Sequence, residues 1–302
     1  MDFRLTDDQR ALRGGMRELL EGRFGRDGLR AAVDRAERGE PVLDRALWRE
    51  LGEAGFFALR LPEERGGAGL GLPEAVLLFE EAGRALLPGP LVTTHLAAGA
   101  VEGAAEGETV VTAPGGGVVE WLAESDAVLG DLGPGGAPGA RAVRSVDPLT
   151  PLHALPQGTA AGPGVRYDAR AAALLTAAEQ LGGAERALEL AVAYAGEREQ
   201  FGQPVGAFQA VKHLCAEMLV RTETARSAVY AAAVLDAPEE TAAATLLADE
   251  AAVRNARDCL QVHGGMGFTW EADVHLYLER AWVRSARGRP AGELEEQLAA
   301  VL

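Results

Sequence analysis

Two segments in the C-terminal half of the chain carry side chains that could hold a nucleotide. The first reads REQFGQPVGAFQAVKH, from Arg198 to His213. The guanidinium group of Arg198 is a fixed cation whose planar fork suits phosphate oxygens. The side chains of Phe201 and Phe208 could flank an aromatic ring, and the amide of Gln209 offers a donor and an acceptor to the edge of a base. The spacing also fits an ordinary loop between helices, with one exposed arginine and two core phenylalanines.

The second segment reads QVHGGMGFTW, from Gln261 to Trp270. Gly264 and Gly265 can adopt positive φ angles and let a ligand approach the backbone closely. No strand precedes these glycines, so the dinucleotide-binding pattern of a strand followed by GxGxxG does not apply. A helix that ends at a glycine and continues into a turn is the alternative interpretation. It makes His263 a helix-end histidine near the last carbonyl groups.

The composition argues against several classes of function. The 302 residues include 45 Asp and Glu against 29 Lys and Arg, a formal net charge of −16. Binding to nucleic acid or to an anionic membrane needs a basic face, so neither is expected, and no apolar run approaches the roughly 20 residues of a membrane span. Cys215 and Cys259 form no CxxC pair, and we interpret them as buried structural thiols. With a polar N-terminus unlike a signal peptide, these features predict a soluble cytoplasmic protein.

The elements that would position the two segments are mainly helices. Residues 1–103 show helical spacing, with a plausible capping box at Thr6 and Gln9, a helix that stops at Gly55 and another that opens at Pro73. Residues 104–164 mix short β-branched runs with glycine breaks and the turn-rich GPGGAPGARAV, which predicts a few short strands. From residue 165 onward, helices are predicted over about 170–197, 207–235 and 239–262, and a shorter one from Ala272. These four suggest an antiparallel bundle.

Several blocks of this sequence resemble the acyl-CoA dehydrogenase family. They are LTDDQRALR, the long N-terminal block from LWRELGEAGFF to LLPGPL, REQFGQPVGAFQ and QVHGGMG. The resemblance implies a mainly α fold with an N-terminal helical domain (1–103), a truncated middle β domain (104–164) and a C-terminal four-helix bundle (165–302). It also implies FAD bound between subunits, α,β-dehydrogenation of an acyl-CoA thioester, and an electron-transfer flavoprotein or similar acceptor.

The resemblance assigns cofactor roles to residues of both segments. In the family, the first segment holds the pyrophosphate and adenine of an FAD whose isoalloxazine lies mainly on a neighbouring subunit, and the second lies on the adenine side. The positions that match in this chain are Arg198, Phe201, Phe208, Gln209, Gln261, Gly264 and Gly265.

The catalytic base of the family has no counterpart in this sequence. The family uses a glutamate to remove the α-proton of the substrate while a hydride passes to the flavin. Its usual place falls here on Arg287 or Gly288, and a second family location falls on Ala172. Asp168, one turn before Ala172, and Glu271, the carboxylate nearest the glycine turn, are weak candidates for a relocated base. Glu271 also fits a structural helix start, and we interpret Glu279 as a surface residue.

The middle segment also departs from the family, because Trp121 is followed by Leu-Ala-Glu and not by the family's Trp-x-Thr/Ser strand. Both departures fit a subunit of a heteromeric α2β2 enzyme whose homologous partner supplies the glutamate. One alternative is an active homo-oligomer with a relocated base. Another is a non-redox scaffold that has lost flavin, although a scaffold has no need of a phosphate-binding fork at Arg198.

Overall fold

The computed structural model describes residues 4–130, 139–156 and 168–301. The first residues of the turn-rich stretch and the predicted boundary at residue 165 lie outside these ranges. Among the described helices, none is long and apolar enough to cross a membrane.

The N-terminal part consists of five helices. They are α1 (Asp7–Arg23), α2 (Arg26–Glu37), α3 (Arg45–Glu53), α4 (Leu72–Arg84) and α5 (Leu91–Ala97). The capping box is confirmed: the backbone N–H of Gln9 donates to the Thr6 hydroxyl, and the side-chain oxygen of Gln9 accepts from the backbone N–H of Thr6. Helices α2 and α5 were not predicted, because α2 buries three residues only and α5 contains β-branched Val92, Thr93 and Thr94.

The middle part contains short strands, as predicted. They are β1 (Val111–Thr112), β2 (Pro114–Gly115), β3 (Val118–Glu120), β4 (Ala127–Val128), β5 (Arg141–Val143) and β6 (Leu152–Ala154). β1 pairs with β4 in parallel, and the other four form an antiparallel sheet in the order β2-β3-β6-β5. Trp121 follows β3 and is fully buried. Strands of two or three residues give a small sheet, consistent with a truncated middle domain.

Long helices form the C-terminal part. They are α6 (Ala169–Glu197), α7 (Gln209–Leu235), α8 (Pro238–His263), α9 (Val274–Arg287) and α10 (Ala291–Ala299). Between α6 and α7 the chain forms a hairpin of β7 (Glu199–Gln200) and β8 (Gln203–Pro204). The predicted limits of the first three helices agree with these bounds to within two residues, whereas α10 was not predicted. The short connections before and after α7 make α6 and α8 run in the same direction.

A close contact between α4 and α6 joins the N-terminal helices to the bundle. A Cβ atom added at Gly83 would lie 2.0 Å from the Glu179 carbonyl oxygen, and one added at Gly182 would lie 1.8 Å from that of Glu80. Glycine at both positions therefore lets the two backbones touch.

Beside that contact lies a buried charge network. The carboxylate of Glu80 on α4 is fully buried. It accepts hydrogen bonds from Arg13 on α1 (3.1 Å), from the Tyr230 hydroxyl on α7 (2.7 Å) and from Arg226, also on α7. Burial raises the pKa of Glu80 although the two arginines oppose the shift. The network ties three helices together through one carboxylate.

Candidate functional site

The two segments singled out from the sequence meet at one end of the bundle. Tyr194 near the end of α6 stacks on His263 at the end of α8, with ring centroids 4.1 Å apart. Because α6 and α8 are parallel, their C-terminal ends and the N-terminus of α7 lie together. We call this region, from Arg198 to Gln209 and from Gln261 to Phe268, the Arg198 end.

Side chains at the Arg198 end are largely solvent-exposed. Arg198, Gln209 and Gln261 are exposed, and within the described ranges the Arg198 guanidinium has no hydrogen-bond or ion-pair partner. Phe201 is 91% exposed and meets half-buried Phe208 edge to face, with ring centroids 6.1 Å apart. The two phenylalanines are thus not core residues of a simple loop.

The backbone of the Arg198 end has positive φ angles at Phe201, Gly202 and Gly264. Phe201 has φ = 54°, a left-handed conformation that costs a non-glycine residue on the order of 1 kcal/mol and is retained chiefly at functional sites. Gly264 ends α8 with φ = 57°, as predicted for a glycine there, while Gly265 continues into a 3₁₀ turn without a positive φ. The exposed Gly264 and Gly265 have no neighbouring atoms that a Cβ would meet. Space for a ligand therefore remains above the turn.

A cavity of about 620 Å³ lies near the opposite end of the bundle. Its walls come from α5, β1, the N-terminal halves of α6 and α8, the end of α9, and α10. Its lining is mostly apolar and includes Leu91, Ala173, Ala177, Ala242 and Leu294. This volume is in the range of small-molecule sites.

Arginines line the part of this cavity where the family's catalytic carboxylate was expected. Arg284, on α9, contacts Glu120 on β3 (3.5 Å) and Glu179 on α6 (3.1 Å), and Arg287 also pairs with Glu120. We call these four residues the Glu120 cluster. Three of the four are more than 90% buried. Position 287 therefore supplies a cation that is bound to a structural carboxylate, and it offers no proton acceptor.

Neither of the two weak candidates for a relocated base lines the cavity, although Asp168 directly precedes the lining residues Ala169 and Arg170. Asp168 is the N-cap of α6, and its Oδ1 accepts from the backbone N–H groups of Arg170 (3.0 Å) and Ala171 (3.1 Å). Glu271 is exposed, and its carbonyl oxygen accepts from Arg26 (2.9 Å). The prediction that Glu271 starts a helix is wrong, because α9 begins at Val274 with Asp273 as its N-cap.

Glu279 is also not the surface residue that the sequence suggested. It is half-buried on α9. Burial, reinforced by the nearby charge of Asp147, raises the pKa of Glu279 to about 7. The helical spacing hid this, because the wall that covers Glu279 comes from the middle part of the chain.

Sequence reasoning missed a carboxylate that lines the cavity. Asp249 on α8 accepts a hydrogen bond from the Gln180 side chain (2.8 Å), and the same Gln180 nitrogen donates to the Ala281 carbonyl oxygen (3.2 Å). Burial raises the pKa of Asp249 to about 6. One signal was available: Gln180 is a polar residue on the apolar stripe that contains Ala177 and Leu181.

An Asp249→Asn variant is expected to be more stable than the parent protein at pH 8. The folded-state pKa of Asp249 lies above its ordinary value of 3.8. The ionised form therefore lowers stability above pH 6, and this penalty disappears as the pH falls from 6 to 4. The shift of about two units corresponds to a gain of up to about 3 kcal/mol at pH 8 and almost none at pH 4. Urea unfolding of both proteins at the two pH values measures it, and an equal gain at both would contradict the assignment.

The Arg198 end and the cavity are far apart. Along α6, 21 residues separate the cavity residue Ala177 from Arg198, about 32 Å at 1.5 Å per residue. Along α8, 12 residues separate the cavity residue Asp249 from Gln261, about 18 Å. The Arg198 end and the cavity are therefore separate regions of this chain.

Comparison with known proteins places the chain in a family. Models described as the N-terminal and C-terminal domains of acyl-CoA dehydrogenase match residues 6–106 and 169–293. "Acyl-CoA dehydrogenase IpdE2" of Mycobacterium tuberculosis is 37% identical over 91% of this chain and 91% of its own length.

Solved structures agree with this assignment. The ChsE4–ChsE5 complex of M. tuberculosis has a chain that is 26% identical, with a TM-score of 0.82 and coverage of 99% of this chain and 98% of that one. The structure titled "Tcur3481-Tcur3483 steroid ACAD G363A variant" has a chain that is 27% identical, with a TM-score of 0.79 and coverage of 98% and 97%. The chain therefore belongs to the acyl-CoA dehydrogenase family, whose members are oxidoreductases that act on acyl-CoA.

Proposed function

We propose that this chain is an FAD-binding subunit of a heteromeric acyl-CoA dehydrogenase and that a homologous partner subunit supplies the catalytic glutamate. One observation carries the proposal: the family's base position falls on Arg287 or Gly288, Arg287 is bound in the Glu120 cluster, and the Arg198 end remains exposed. A subunit that keeps cofactor-side residues but lacks a carboxylate at both family positions of the base would contribute to catalysis together with a second chain.

The residues at the Arg198 end fit the ADP half of FAD. The Arg198 guanidinium, free of partners in the described part of the chain, can donate two parallel hydrogen bonds to pyrophosphate oxygens. The N-terminus of α7 beside it lacks a side-chain cap, so its N–H groups are available to a phosphate. Phe201 and Phe208 offer aromatic surface, and Gln209, Gln261, Gly264 and Gly265 form the side toward the adenine. When bound, FAD accepts the hydride that dehydrogenation of the acyl-CoA releases.

The separation between the Arg198 end and the cavity supports a composite site. Residues roughly 18–32 Å from this chain's own cavity would serve a flavin whose reacting ring lies against the partner. The partner's glutamate would then remove the substrate proton, and this chain would bind and orient the cofactor. An electron-transfer flavoprotein or similar acceptor would reoxidise the flavin.

Two of the related structures are two-protein assemblies by their titles, and one title calls its protein a steroid ACAD. By extension we propose a bulky, sterol- or lipid-derived acyl-CoA as the substrate and lipid or sterol catabolism as the setting. We also propose that the domains of the chain divide at residues 103 and 164. The proposed location is the cytoplasm.

Co-expression with a full-length homologous subunit that has the glutamate tests the proposal. We expect a yellow complex that reduces a dye with acyl-CoA, whereas this chain alone should be colourless and inactive. Dye reduction by this chain alone, abolished by Glu271→Gln or Asp168→Asn, would instead establish the homo-oligomer. Absence of flavin from every complex would favour the scaffold.

A further inference from the structure

Asp249 is the exception among the charged side chains that line the cavity. In the described lining, Arg284 and Arg287 pair with Glu120, Arg170 pairs with Asp236 (3.1 Å), and Arg289 with Glu293 (3.6 Å). Asp249 has no cationic partner there. Its Oδ1 accepts from Gln180, and Oδ2 has no hydrogen bond within the described ranges. Asp249 is half-buried, and a carboxylate withdrawn from water without a counter-ion is unfavourable unless a hydrogen-bond donor satisfies it.

Neighbouring hydroxyl groups of the protein do not supply that donor. Thr245, one turn before Asp249 on α8, donates to the Thr241 carbonyl oxygen (2.8 Å), and Thr241 donates to that of Ala237 (3.2 Å). Both hydroxyls are thus directed along their own helix. The acceptor at Oδ2 is left for a molecule that enters the cavity.

Charge and size restrict what that molecule can be. The four arginines that line the cavity are all paired with carboxylates, so the choice between a charged and a neutral ligand rests on the mostly apolar walls, which disfavour a charged group. The walls around Asp249 are mostly small and apolar, and a cavity of about 620 Å³ holds a ligand of fused-ring size. A neutral, mostly apolar molecule with one hydroxyl group satisfies both conditions.

We propose that Asp249 is a specificity-determining residue that accepts a hydrogen bond from a hydroxyl group of an otherwise apolar ligand bound in this cavity. Gln180 positions the carboxylate by holding its other oxygen. The raised pKa of Asp249 agrees with this geometry, because it marks a carboxylate whose charge is incompletely stabilised by the surrounding protein. The inference deepens the proposed function, on which the choice of a sterol-like ligand rests, but ligand binding in this cavity can be measured without flavin.

Equilibrium dialysis of the full-length protein at pH 8 against androsterone and its deoxy analogue, the same ring ketone without the hydroxyl group, tests the proposal. The parent protein should bind androsterone about tenfold or more tightly than the analogue, as expected for a hydrogen bond to a charged group. Asp249→Leu should abolish this preference and leave the affinity for the analogue intact. Asp249→Asn keeps the size of the side chain and a weaker hydrogen-bond acceptor, so it should retain a smaller preference for androsterone. This second variant keeps the test valid if the leucine variant fails to fold.

Glu250→Gln is the matched control, because this neighbouring acid on α8 pairs with Arg254 (3.0 Å) at the surface. It should leave both affinities unchanged. Equal affinity of the parent protein for the two probes, a preference that persists in Asp249→Leu, or binding of neither probe would each overturn the proposal. Failure to find flavin in any complex would affect the proposed function alone.

Discussion

An Arg198→Ala variant in complex with the homologous partner subunit is expected to bind FAD about 10- to 100-fold more weakly than the parent complex. The substitution removes a charge-assisted hydrogen bond to a phosphate, which contributes roughly 1.5–3 kcal/mol. Arg198 is exposed at the end of α6 and within the described ranges makes no side-chain contact that the change would break. Assembly and thermal stability should therefore be unaffected. Flavin released on dilution, followed by its fluorescence, measures the change.

Arg38→Ala provides the matched control. Arg38 is also an exposed arginine after the end of a helix, and it pairs with Glu40 (2.9 Å) at a distant part of the surface. It should leave the flavin affinity unchanged. Unaltered flavin retention in Arg198→Ala would show that Arg198 does not hold the pyrophosphate and would weaken the whole assignment of the Arg198 end.

A Glu80→Ala variant is expected to lose about 3–5 kcal/mol of unfolding free energy, equivalent to roughly 5–10 °C in Tm. The change leaves the buried ends of Arg13, Arg226 and Tyr230 without their shared acceptor. Glu185 remains near both arginines, at 3.1 Å from each, and will offset part of the loss. Thermal and urea unfolding of the purified chain measure the effect.

Substitution of an exposed acid in the same network distinguishes the effect of burial from that of ion pairing alone. Glu223 contacts Arg226 at 3.3 Å, but its side chain is 57% exposed. Exposed ion pairs contribute well under 1 kcal/mol, so Glu223→Ala should be close to neutral. Equal losses in the two variants would mean that the Glu80 network is not the connection between α1, α4 and α7.

Much of the fold could be predicted because local sequence determines it. Helices α6 and α8 have long alanine-rich sequences, and charged or turn residues mark their ends, so their limits follow from spacing and composition. Helix α5 was not predicted because LVTTHLA contains residues that favour strands, and its helical form depends on packing.

Of the two candidate regions, the sequence indicated the Arg198 end but not the cavity. The Arg198 end rests on short contiguous motifs, and the structure brings those motifs together, although their role is a proposal. The cavity wall combines residues such as Glu120, Asp249 and Arg287, which are distant in sequence. An aspartate in an amphipathic helix is ordinarily a solvated residue, so the sequence around Asp249 does not indicate that it is half-buried. Its setting depends on where α9 and α10 lie.

The hydrogen bond from Arg226 to Glu80 also bears on how the chain is made. The two residues are 146 positions apart, and a ribosome that adds about 5–20 residues per second needs roughly 7–30 s to pass from one to the other. Early in that interval the N-terminal helices lack the α6 backbone that fits against Gly83, and until its end they lack the second arginine of the network. We therefore expect the newly made N-terminal half to expose apolar surface until α7 emerges, and to depend on chaperones for that time.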